Sequence, residues 1–421
     1  MDNASVVSNL KLRASWGKAG NDKIGNYAYA TTLTSNMNYV INNGAVVGTT
    51  ISGAANPDLK WEETTMTNIG LDLGLANNQF TLAAEYYINR SDDLLMSLTT
   101  APSLGVFSGS KSANVGSVET KGFEFQLGYN DFEGDFQWSA SLNLGTFTNE
   151  VLNLGGLDAV SNSQFENEPI TRLSVGESLF YFYGWDFDGI FQSDDEAAAY
   201  MGGTQTANFA AAGGDFRIKD TDGDGEITSD DRTNIGNPFP DMTLGLNLNA
   251  SYKGLDLNIF IQGSYGNDVY NTNIYDLEGM PRLFNSGVAV LERWTPTNPS
   301  NTVPRPGVGT NVQVSSRFVE DGSYTRMKNI TLGYTLPSSV LRNMVSKIRI
   351  YVSAQNLLTF TSYSGLDPEV GSRSIVGTGA PTIGSPGLYN SGYPVNNFQN
   401  GIDYGAYPVP KSILGGIQIT F

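Results

Sequence analysis

The chain has 421 residues and carries 24 Lys and Arg against 42 Asp and Glu, a net charge of −18. It contains no cysteine and no histidine. That excludes disulfides, thiolate metal sites and both Ser-His-Asp and Cys-His catalysis, and an acidic chain with no basic stripe makes a poor nucleic-acid partner.

Alternation with period two dominates from the start. Leu10, Leu12, Ala14 and Trp16 alternate with Lys11, Arg13 and Ser15. Ile69 to Leu75, Phe123 to Tyr129 and Phe136 to Leu144 repeat the pattern. In the second half, Leu244 to Tyr252, Leu255 to Ile261, Ile330 to Tyr334, Ile348 to Val352 and Ile417 to Phe421 follow. One face of each segment is apolar and the other small and polar. These segments predict about ten strands, each long enough for the roughly 9–11 residues of a tilted spanning strand. No stretch reaches the roughly 18 apolar residues of a membrane helix, and no basic or apolar leader opens the chain at Met1.

Connections alternate in length. Asn77-Asn78, 130–135 and Lys253-Gly254 read as tight turns, while 17–60, 91–115, 149–240, 266–323 and 358–410 read as long loops. Transmembrane barrels segregate short turns and long outer loops in this way. Tyr129, Phe136 and Tyr252 beside the short turns suit an interfacial aromatic girdle. The pair Asp92-Asp93 reads as solvated carboxylates without a reaction signature.

Three loop motifs stand out. "DTDGDGEITSDD" places Asp220, Asp222, Asp224, Glu226 and Asp231 at the first, third, fifth, seventh and twelfth positions, with Gly225 sixth. Hard oxygen ligands at this spacing suit calcium, Glu226 serving through its backbone carbonyl. Without flanking helices the loop is no EF-hand sensor, and an acidic turn held by Asx hydrogen bonds is the plainer reading. Ile227 would tether it to neighbouring apolar surface. In "LFYFYGWDFDGIF", Tyr181, Tyr183, Trp185 and Asp188 are the candidates for ligand contact, against simple loop packing. In 266–323, "IYDLEGM" predicts a short helix, with Arg293 and Trp294 as a loop anchor.

Together, "LKWEETTMTNIGLDLGL", "ETKGFEFQLGY", "GWDFDGIFQ", the stretch from Asp220 to Asn271, "NITLGYTLP", "RIYVSAQNLLTFT" and "SGLDPEV" resemble the SusC/RagA family of TonB-dependent outer-membrane transporters of Bacteroidetes. The resemblance runs over nearly the whole chain. It implies an all-β fold, the C-terminal part of a transmembrane antiparallel barrel of about 22 strands, with the plug domain and TonB box absent from this chain. It further implies location in the cell outer membrane and import of oligosaccharides or peptides. The implied partners are a chain supplying the plug and N-terminal strands, a SusD-like surface lipoprotein, TonB and outer-membrane lipid. The terminal Phe421 suits an insertion address on a last barrel strand. No enzyme activity and no cofactor beyond a possible calcium ion are expected. A non-transporting docking barrel and a secreted soluble β protein are the rival readings.

Overall fold

The computed structural model describes the chain apart from residues 1–5, 23, 25, 100, 102, 104, 108–109, 162–163, 166–167, 202–209, 308, 338–344 and 372–398. The alternating segments form one ten-stranded antiparallel sheet. Its strands are β1 (Val7–Asn21), β2 (Glu62–Leu75), β3 (Phe80–Thr99), β4 (Ser110–Asp131) and β5 (Phe136–Leu154). They continue with β6 (Met242–Tyr252), β7 (Leu255–Tyr265), β8 (Tyr324–Thr335), β9 (Lys347–Thr361) and β10 (Ser412–Thr420). Each strand pairs with the next in sequence, and the series ends at β1 on one side and β10 on the other.

The register sets the two faces. Leu12 lies opposite Leu71, Leu71 opposite Ala84, and Leu244 opposite Leu144. Residues of this face point away from the polar side and into the surroundings: Leu12 is 80 % exposed, Trp16 71 % and Ile417 67 %. A continuous band of such residues is costly in water and at rest against lipid. No helix among the described residues is long and apolar enough to cross a membrane.

At the short-turn end, Lys253 and Gly254 both take positive φ, 45° and 86°, as a two-residue hairpin turn requires. Aromatic rings gather there: Phe80 lies 4.7 Å from Tyr129, and Tyr129 4.5 Å from Trp138. Phe136 and Tyr252 are exposed beside them, as a girdle demands.

The strands outrun the limits read from the sequence. The loop expected at 17–60 begins only after Asn21 and contains a hairpin of its own, Thr32–Ile41 paired with Gly44–Gly53. The loop expected at 91–115 shrinks to the link between Thr99 and Ser110. Strand β5 continues to Leu154 and β9 to Thr361, inside the loops placed at 149–240 and 358–410. Apolar alternation marks only the stretch that faces lipid, whereas backbone pairing continues beyond it into water. At Asp92-Asp93 the chain makes a bulge, Asp93 taking φ 60°, and the strand resumes.

The remaining long connections fold together into a cap over the long-loop end. Segments from 155–241, 266–323 and 362–411 share one apolar core that includes Phe182, Phe216, Tyr270, Trp294, Phe318 and Ile402. The predicted short helix is present at Asn273–Gly279. Trp294 anchors its loop as expected: it is 9 % exposed, and its indole N–H donates to Gln192 Oε1 at 3.0 Å.

Candidate functional site

The inner face of the sheet carries a continuous polar ladder. Asn249 Nδ2 donates to Ser139 Oγ at 3.3 Å. Asn258 Nδ2 donates to Asn247 Oδ1 and Asn249 Oδ1 at 2.9 and 2.8 Å. Asn329 Nδ2 donates to Asn258 Oδ1 at 3.0 Å, and Ser353 Oγ to Asn329 Oδ1 at 3.1 Å. The chain of amides and hydroxyls thus crosses five neighbouring strands, β5 to β9. At the other side of the sheet, Arg13 spans three strands: it bonds Asp72 through Nε and Nη2 and Glu85 through Nη1, at 2.9–3.2 Å. This surface offers hydrogen bonds and paired charge to a polar solute.

The cap is pinned to the wall by buried ions. Arg326, on the inner face of β8 and 3 % exposed, holds Asp367 at 2.5 Å and Glu369 at 2.8 Å. Burial raises the Asp367 carboxyl, but Arg326 and the N–H groups of Val409 and Glu369 outweigh it and hold the group below the usual carboxylate range. Asp403 is fully buried and accepts from Tyr363 Oη at 2.6 Å and from the N–H groups of Gly405 and Ala406 at 2.8 and 2.7 Å. Burial, with the Asp403 hydrogen bond and charge, pushes the Tyr363 phenol far above its ordinary value.

The structure separates the four aromatic-cluster candidates. Tyr181 and Trp185 are 4 % and 2 % exposed. Tyr181 exchanges a hydrogen bond with Ser174 Oγ at 2.9 Å, and Trp185 packs with Phe191, Met201 and Ile227. Neither is available to a ligand, because the cap uses both rings as core. Asp188 is tied to Arg217 at 3.2 Å. Tyr183 alone keeps its ring partly open, with Arg172 and Arg232 over it at 4.1 and 5.0 Å from the centroid. The two arginines carry no local sequence signal, since only the sheet register brings them together.

The acidic loop is likewise divided. Asp220, Asp222 and Asp224 each offer a carboxylate oxygen, and these lie within 4.8 Å of one another. Asp220 also accepts the N–H groups of Gly223 and Gly225 at 2.6 and 2.9 Å, Gly225 taking φ 86°. The Asp224 N–H lowers the Asp222 carboxyl, but burial and the charges of Asp224, Asp231 and Asp220 together raise it above its ordinary value. Asp231 is fully buried and turned to the backbone: Oδ1 accepts from Thr221 at 2.6 Å and Oδ2 from Thr228 at 2.8 Å. Asp231 therefore caps the turn Ser229–Asp231 and stands apart from the oxygen cluster. Glu226 donates its N–H to Asp224 Oδ1 at 2.8 Å. Ile227 is 3 % exposed and tethers the loop to the apolar group around Trp185, as its position predicts. The three clustered carboxylates fit a hard cation, and the twelfth position does not complete the set.

A family model described as TonB dependent receptor-like, beta-barrel, matches residues 3–357. The chain belongs to the TonB-dependent receptor-like β-barrel family. Its members are outer-membrane proteins. This TonB-dependent receptor barrel is 34 % identical over 427 residues to a TonB-dependent receptor of Formosa agariphila, covering all of this chain and 40 % of that relative. It is 29 % identical over 442 residues to the TonB-dependent receptor SusC of Bacteroides thetaiotaomicron, covering 38 % of it. Among solved structures, the RagAB peptide transporter matches with a TM-score of 0.76 at 28 % identity, over all of this chain and 42 % of that one. The 'open-open' state of the RagAB peptide importer matches with a TM-score of 0.78 at 27 % identity, over 41 % of that chain. The resemblance to SusC/RagA proteins therefore holds, and the chain spans about two fifths of these relatives, their C-terminal part. These relatives are named as TonB-dependent receptors and a peptide transporter.

Proposed function

We propose that this chain forms the C-terminal barrel wall and outer cap of a TonB-dependent importer for oligosaccharides or peptides. The observation that carries the reading is the amide ladder from Ser139 to Ser353, which lines the inner face with neutral donors and acceptors. Polar solutes exchange water for such groups at little net cost. Uptake of labelled oligosaccharide and peptide pools by cells carrying the full-length protein tests it. Uptake is expected to need TonB and to fall with Asn258→Leu plus Asn329→Leu. Equal uptake in cells without the protein sinks the reading.

Strands and a plug from outside this chain complete the barrel, because β1 and β10 otherwise leave unpaired backbone facing lipid. A closed, heat-modifiable species formed by this chain alone would overturn that. A SusD-like surface lipoprotein covers the cap at the exposed apolar group Leu277, Leu283, Phe284, Val288 and Leu291. Leu283→Asp with Leu291→Asp is expected to abolish copurification of the lipoprotein while leaving the barrel folded. Asp220, Asp222 and Asp224 hold a calcium ion that stiffens the outer loop. Calorimetric titration is expected to show calcium heat for the native protein and none for Asp224→Ala; no heat in the native protein removes the ion.

A further inference from the structure

We propose that Arg172, Tyr183 and Arg232 form a binding site on the cap for an oxyanion group, carboxylate or sulfate. The site stands on one face of a four-stranded sheet made by Thr233–Gly236, Tyr181–Gly184, Thr171–Ser174 and Ala159–Ser161. Arg172 pairs with Tyr181 and Tyr183 with Asn234, which puts these side chains on one face. Phe182, fully buried, points from the other face into the cap core.

Both guanidinium groups lie over the same ring, Arg172 at 4.1 Å and Arg232 at 5.0 Å from its centroid. Among the described residues, no carboxylate lies within ion-pair reach of either. That is unusual in this acidic chain, because among the described arginines all but these two and Arg293 form ion pairs. The acid on the neighbouring strand link, Glu177, is engaged by Asn234 Nδ2 at 3.0 Å. Arg232 Nη2 leans on the carbonyls of Pro169 and Tyr183 at 3.4 and 3.3 Å, while its Nε is buried without a hydrogen-bond partner. Two converging cations with an unspent donor are electrostatically incomplete. An oxyanion between or beside them supplies the missing charge, and the planar fork of a guanidinium matches carboxylate or sulfate oxygens. The Tyr183 ring holds the two guanidinium groups beside each other.

The test is equilibrium binding and does not depend on import. Calorimetric titration of the full-length protein in detergent would use glucuronate, inorganic sulfate and glucose at constant ionic strength. Saturable binding of glucuronate is expected, with none for glucose. Sulfate binding as well would extend the site to oxyanions in general, and glucuronate alone would restrict it to carboxylates. R172Q and R232Q are each expected to weaken binding at least about tenfold, and R293Q to leave it unchanged. A melting curve checks folding; if R232Q fails to fold, the half-buried Arg172 decides through R172Q. Absence of saturable binding to the native protein, or equal binding by folded R172Q, would overturn the assignment.

Discussion

Asp215 is 1 % exposed and accepts hydrogen bonds from Arg305 Nε and Nη2 at 2.8 Å, Asn311 Nδ2 at 2.9 Å and the Ala212 N–H at 2.9 Å. One carboxylate thus ties two outer connections that are remote in sequence. Asp215→Ala strands these donors and is expected to cost roughly 3–5 kcal/mol of cap stability. Limited proteolysis should then cut the cap while the strands stay protected. Asp367 makes a complementary case through pH. A carboxyl held low in the folded state adds stability above its unfolded pKa of about 4, and that stability is lost as pH falls through the folded value. The segment around Asp367 is therefore expected to hold from neutral pH down to about pH 4 and to melt earlier below it. Near-UV circular dichroism melts at pH 3 and pH 6 read this, and Asp367→Asn should flatten the difference by weakening the segment at pH 6.

At the scale of strands and turns, glycine marks the tight approaches. A Cβ at Gly122 in β4 would meet the carbonyl oxygen of Thr146 on β5 at 1.9 Å, whereas one at Gly17 in β1 would meet nothing within 4 Å. Gly122→Val is expected to cost on the order of 1–3 kcal/mol and to lower the yield of heat-resistant barrel, while Gly17→Ala leaves it unchanged. The strands themselves were legible in the sequence, since Leu10 to Trp16 or Leu244 to Tyr252 alternate wherever one face meets lipid. Their ends were not, because beyond the lipid the outward residues are polar, as in Lys121 and Glu119 on β4. The acidic loop was legible as a turn through Gly225, and the tether was legible through Ile227. The role of Asp231 was hidden: a carboxylate that caps a backbone and one that ligates a cation occupy the same place in the spacing.

For the molecule as a whole, wall and cap obey different logics. The wall is built from neighbours in sequence. The cap joins residues that local pattern cannot relate, which is why Arg172 and Arg232, or Trp294 and Gln192, gave no sign of each other beforehand. The candidate site followed the same division: for Trp185 and Tyr181 the sequence left ligand contact and loop packing both open, because aromatic richness reads alike in a binding surface and in a small core.

The link between Tyr270 and Ile402, followed by Thr272 with the Asp403 carbonyl, carries a consequence for biogenesis. The wall pairs each strand with the next in sequence, across short turns at one end and across the long connections at the other. The cap cannot close until residue 403 has arrived, just before the last strand. Its apolar core therefore stays open to water and to proteases through most of assembly, and the buried Asp403 acts as a final latch. A secreting cell that shields this surface until β10 is in place would gain the most yield.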